Sequence, residues 1–92
     1  MKAYKSLVKF ALAKHLTISV WDGEEWQVKR STGYQAIIDA IESVEVAELR
    51  IRDQAGTVLG WALIIPDLDD DETVADYTMT PFLAEWEQTQ PA

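Results

Sequence analysis

Cysteine is absent from the 92 residues. That excludes a disulfide framework, a thiolate nucleophile and cysteine-based zinc sites, and it fits a reducing, cytoplasmic setting. No apolar run of about 18 residues occurs, so no membrane-spanning helix is expected. The N-terminus carries lysines, but no small-residue cleavage site follows, so no signal peptide is expected either. Histidine occurs once, at His15, with no Ser or Asp partner at a suggestive spacing, so a nucleophilic triad has no support. The four glycines form no phosphate-cradling loop. No cofactor, metal or catalytic residue is expected, and the chain is expected not to be an enzyme.

Basic residues are missing from the whole C-terminal part. All eight Lys and Arg lie at or before Arg52. Residues 1–52 balance eight basic groups against seven acidic ones, whereas residues 53–92 hold nine acidic groups and no basic one. The net charge is −8 and the pI about 4.4. A field of that sign repels nucleic acid and steers basic partners toward the acidic end, so direct nucleic-acid binding is not expected.

What is present suits a single globular domain over residues 1–92. Hydrophobic residues make up 48% and charged residues 26%. In the opening stretch Tyr4, Leu7, Val8, Ala11 and Leu12 recur at helical spacing, with Lys2, Lys5 and Lys9 on the other side. "LTISVWDGEEWQVKRS" reads as a β-hairpin. A three-residue loop, Asp22 to Glu24, would pair Val20 with Trp26 and Ile18 with Val28 and place these four on one face. "STGYQAIIDAIESV" is a second helix, where Thr32 and Gln35 have capping-box spacing. "VAELRIRDQAGTVLGWALIIP" is a second hairpin. A loop of Gln54, Ala55 and Gly56 would align Ile51 with Leu59 and Leu49 with Trp61. The last strand, apolar on both faces, is expected inside the sheet beside the first and third strands. Gly60, inside that strand, marks a bulge or a close approach. Thr80-Pro81 opens a short final helix that Phe82 and Trp86 dock. The expected fold is α+β: a four-stranded antiparallel sheet from two hairpins, helices packed on one face, in the order α-β-β-α-β-β-α.

The stretch "PDLDDDETVADY", from Pro66 to Tyr77, concentrates Asp67, Asp69, Asp70, Asp71, Glu72 and Asp76. Asp67, Asp69 and Asp71 stand at relative positions 1, 3 and 5, as in a calcium loop. The sixth position is Glu72 rather than Gly and the twelfth is Thr78 rather than Glu, so no metal is expected. The stretch reads as a solvated connector that favours a following helical turn and doubles as a partner-facing patch. Trp21 points opposite to Val20 and lies beside Asp22, Glu24 and Glu25, a combination suited to a protein-binding hot spot. The candidate partner-binding residues are therefore Trp21, Asp22, Glu24, Glu25, Asp67, Asp69, Asp70, Asp71, Glu72 and Asp76. A sheet face carrying Trp21, Val58 and Ile64 is alternatively the interface of a homodimer or larger self-assembly.

"ELRIRDQAGTVL", the acidic "DLDDDE" and the terminal "FLAEWEQ" together resemble the C-terminal half of a small acidic early protein of short-tailed lytic phages, an inhibitor of a host dGTP triphosphohydrolase. "WALIIPD" is similar to a strand of the phage uracil-DNA glycosylase inhibitor, an acidic DNA mimic. The resemblance implies a small accessory protein of a lytic tailed phage, working in the host cytoplasm. It would bind and inhibit or modulate a host protein, directly or by mimicking DNA.

Overall fold

The computed structural model describes residues 2–90. Its elements run α1 (Ala3–Ala13), β1 (Thr17–Trp21), β2 (Trp26–Ser31), α2 (Tyr34–Glu42), β3 (Ala47–Arg52), β4 (Val58–Ile64), β5 (Val74–Tyr77) and α3 (Pro81–Gln88). The strands form one antiparallel sheet in the order β2-β1-β3-β4-β5. The α+β class and the helices on one face are as the sequence pattern led us to expect. The strand count is not, because the acidic stretch supplies a fifth strand. Val74 pairs with Ile64 and Tyr77 with Ala62, so β5 occupies the outer edge of β4. The first strand accordingly pairs with β3, in the centre of the sheet, and not with β4.

Alternation in β3 shows which face is covered. Ala47, Leu49 and Ile51 have no exposed surface, whereas Glu48, Arg50 and Arg52, which alternate with them, are half-buried. Ile18 and Val20 of β1 and Ala62 and Ile64 of β4 share the covered face and are equally buried. Tyr4, Leu7, Val8 and Ala11 of α1, Ile37, Ile38 and Ile41 of α2, and Phe82, Leu83 and Trp86 of α3 close the core over it. Each large apolar side chain in this layer is worth about 1.5–3 kcal/mol of transfer free energy. Gly60 marks where α3 comes closest. A Cβ there would lie 2.6 Å from Leu83 Cδ1, and the neighbouring register shift is the bulge that the glycine suggested.

Both hairpins depart from the expected register. Trp21 pairs with Trp26 across a four-residue turn, Asp22 to Glu25, and Val20 pairs with Val28. Ile51 aligns with Gly60, Leu49 with Ala62, and Arg50 with Trp61. A one-residue slip moves a strand's side chains to the other face. Trp26 and Trp61 therefore leave the core layer for the uncovered face, and Ile64 goes the other way, into the core. The reason is steric: small residues, Gly60 and Ala62, are what fit beneath α3, and a tryptophan does not.

Helix ends also differ in detail. The residue preceding α2 is Gly33, and the Thr32/Gln35 box does not form; Ser31 Oγ accepts the Gly33 N–H, and Gln35 bonds Asp39. Thr80 and Pro81 do open α3, although Thr80 makes no side-chain cap. His15 follows the C-cap of α1 with φ +62°, donating its N–H to the Leu12 carbonyl while Leu16 donates to Ala11. That pair of bonds is a Schellman motif built on a non-glycine residue.

Candidate functional site

Four stretches meet at one end of the sheet. The β1–β2 turn, the α2–β3 connection, the start of α1 and the segment after β4 all lie there, because β1 and β4 end where β3 begins. They carry most of the sixteen carboxylates, drawn from both halves of the chain. The chain is thus dipolar along its strands, a finer arrangement than the division between N- and C-terminal parts implied.

In the turn, Asp22 is occupied structurally. Its Oδ1 accepts the Glu24 and Glu25 N–H groups, each at 2.7 Å, and its Oδ2 accepts Gln27 Nε2 at 2.6 Å. The backbone bonds from Glu25 and then Glu24 hold its carboxyl below the usual aspartate range. Gly23, at φ +103°, supplies the left-handed step. Glu24 and Glu25 are exposed. Trp21 and Trp26 meet edge to face, with ring centroids 5.0 Å apart.

The acidic stretch leads into a strand rather than a helix, and the helix it serves is α1. Lys2 gives that helix no side-chain cap. Instead the Ala3 N–H donates to the Asp70 carbonyl at 2.8 Å and the Tyr4 N–H to Thr73 Oγ1 at 3.2 Å, while Thr73 Oγ1 donates to the Asp70 carbonyl. Lys2 Nζ donates to the Pro66 carbonyl. Two further turns, Leu68 to Ile65 and Glu72 to Asp69, fix the intervening backbone. Asp67, Asp69, Asp70, Asp71 and Glu72 remain exposed, at the positive end of the α1 dipole. Asp76 stands apart from them, on edge strand β5. Among the described residues no three His, Asp or Glu side chains converge to hold a metal ion.

The open face of the sheet carries a second group of exposed and half-buried side chains. Register places Trp26, Trp21, Glu48, Leu63 and Asp76 in one row across the five strands, and Ser19, Arg50 and Trp61 in the next. At about 4.8 Å per strand, Trp21 and Asp76 are about 14 Å apart. Thr17, Arg52 and Val58 form a third row, and Val58 is 50% exposed. Trp21, Trp26, Trp61 and Leu63 are half-buried, with no helix over them. Sequence reasoning found Trp21 and Val58 but missed Trp26, Trp61, Leu63 and the cations beside them. The overlooked signal was the small pair Gly60 and Ala62, which selects the helix-facing side of β4.

A cleft of about 380 Å³ opens at the acidic end, among Lys2, Tyr4, Glu42, Glu45, Pro66 and Asp67. Tyr4 donates its hydroxyl to Glu42, and Lys5 lies 3.8 Å from the same carboxylate. Burial first, then the Glu42 bond, pushes the Tyr4 pKa well above the usual range, so the phenol stays protonated and acts as a donor.

No family model, no curated protein and no solved structure matches this chain. Among the described residues no helix is long and apolar enough to cross a membrane.

Proposed function

We propose that this is a small acidic, non-enzymatic protein that binds a host protein and inhibits or modulates it. The observation that carries the reading is the Trp21–Trp26 pair, held edge to face on an uncovered sheet face at the acidic end of the molecule. Rigid aromatic anchors supply contact area at low entropic loss, and the surrounding carboxylates steer a basic partner to them. Trp21, Glu24, Glu25 and Glu48 would form the contact, with Asp67, Asp69, Asp70, Asp71 and Glu72 contributing charge from the β4–β5 connection and Asp76 from β5. Asp22 shapes the turn. The host-enzyme and phage parts of the proposal rest on the sequence resemblance to acidic phage inhibitors.

The test is capture from bacterial lysate. The wild-type chain should retain a stoichiometric partner, and Trp21→Ala or joint neutralisation of Asp69, Asp70 and Asp71 should release it without loss of fold. Absence of any partner, or undiminished capture by both variants, would sink the proposal.

DNA mimicry is the second reading, favoured by one observation. The backbone of the 65–73 segment is tied by hydrogen bonds at Asp70, Thr73, Leu68 and Glu72, which fixes the backbone positions from which its carboxylates project. In that case the captured protein binds DNA, and duplex DNA displaces it.

A further inference from the structure

Sorting the eight cations by their partners exposes a cluster. On α1 and at its two caps, Lys2 bonds the Pro66 carbonyl, Lys5 and Lys14 pair with Glu42 and Glu85, and Lys9 lies over the Tyr34 ring. On β3, Arg50 faces Glu48. Among the described residues, Lys29, Arg30 and Arg52 have no carboxylate within ion-pair distance. All three line one cleft of about 340 Å³ on the open sheet face, together with Ser19 and Trp26. In a chain of net charge −8, three cations that converge while carboxylates are plentiful elsewhere call for an anionic ligand.

The local backbone builds this cleft. The β1–β2 register shifts between Val20 and Ile18, and Arg30 sits in the left-handed region at φ +48°. Such a bulge re-aims side chains. Here Lys29 and Arg30 both reach the cleft although they are neighbours in sequence. The Arg30 guanidinium extends as far as the β3–β4 turn, where a Cβ on Gly56 would come within 3.6 Å of Arg30 Nη1. Ser19, 3% exposed, accepts the Arg30 N–H at 2.8 Å and Arg52 Nη1 at 3.4 Å. Its own O–H is left as a further donor.

We propose that this cleft binds a single nucleotide, with the phosphate held by Lys29, Arg30 and Arg52 and the base set against Trp26. Guanidinium pairs match phosphate oxygens, and an indole offers a stacking surface to any base. The volume is at the lower end for a small-molecule site and suits a mononucleotide. A longer strand is disfavoured because the next row leads to Asp22, Glu24 and Glu48, which repel successive phosphates. The inference shares Trp26 with the protein-binding proposal but rests on the cation cluster rather than on the Trp21–Trp26 pair, and its test needs no host partner.

The experiment is a titration of the 15N-labelled protein with AMP, inorganic phosphate and hexaglutamate. AMP should shift the Lys29 and Arg30 amides and the Trp26 indole signal. Inorganic phosphate should shift the two amides at higher concentration and leave the indole alone. Arg52→Gln should weaken AMP binding by about 10-fold or more, the scale of a charge-assisted hydrogen bond. Exposed Lys29→Gln, which keeps the Ser19 contacts, should weaken it by a few-fold with an unchanged melting curve. Trp26→Leu should abolish the preference for AMP over phosphate. The proposal is overturned by unmoved signals at millimolar AMP, by equal responses to AMP and phosphate, or by hexaglutamate outcompeting AMP.

Discussion

The two faces of the sheet use apolar residues for different ends. On the covered face Ile18, Val20, Leu49, Ile51 and Ile64 are sealed beneath three helices, and β-branched and leucine side chains interdigitate with no exposed surface. On the open face the apolar residues are mainly aromatic, half-buried and interleaved with charge: Trp21 beside Glu48, and Trp61 beside Arg50. The lesson is that apolar content does not define a core. The covered face supplies stability, and the open face, where tryptophan replaces leucine, has the composition of a recognition surface.

The sharpest way to break that comparison is truncation on each side. Leu49→Ala should destabilise the fold by about 2–5 kcal/mol, as large-to-small core changes do. Trp61→Ala, on the opposite side of the sheet, should lose less than about 1 kcal/mol in denaturant unfolding. Comparable losses would mean that the open face is also core. Next in size is Gly60→Ala, which forces a methyl group against Leu83 and should lower stability by about 1–3 kcal/mol in thermal melts.

Tyr4→Phe comes third. It removes the bond to Glu42 and should cost about 1–2 kcal/mol at neutral pH. The folded-state pKa of Tyr4 is raised, so its stabilising contribution is whole below about pH 10, the ordinary tyrosine value. It then declines as pH rises, because only the unfolded chain releases the proton. The wild type should therefore lose stability above pH 10 more steeply than Tyr4→Phe. The smallest effect has the opposite sign. His15→Gly relieves a left-handed backbone in the α1 cap and should raise stability by about 0.5–1 kcal/mol in urea unfolding.

Much of the covered face was legible in the sequence. Helical spacing from Tyr4 to Ala11 identified the buried stripe of α1, the Thr80-Pro81 step marked the start of α3, and Gly60 announced a close approach. The open face was not legible, for physical reasons. Strand β4 is apolar on both sides, so its alternation cannot say which side faces the helices. The hairpin turns and bulges then decided the register, and a four-residue turn in place of a three-residue one moved Trp26 to the other face. Strand β5 was hidden because Val74 to Tyr77 is short, lies on the sheet edge and sits within a run of carboxylates, where charge masks strand periodicity. Of the ten candidate residues, the turn and the acidic segment do share one end of the sheet. Asp22, however, is consumed by its own turn, and Asp76 joins the group only through its row across the strands.

The central claim is that one face of the sheet is uncovered and bears three of the four tryptophans. A soluble paramagnetic probe tests it in a single nuclear magnetic resonance spectrum of the indole N–H groups. Trp86, 3% exposed and bonded to Ser6 Oγ, should keep its signal, whereas the signals of Trp21, Trp26 and Trp61 should broaden strongly. Protection of Trp21 and Trp61 to the same degree as Trp86 would contradict the account and show that a second copy or another layer covers this face.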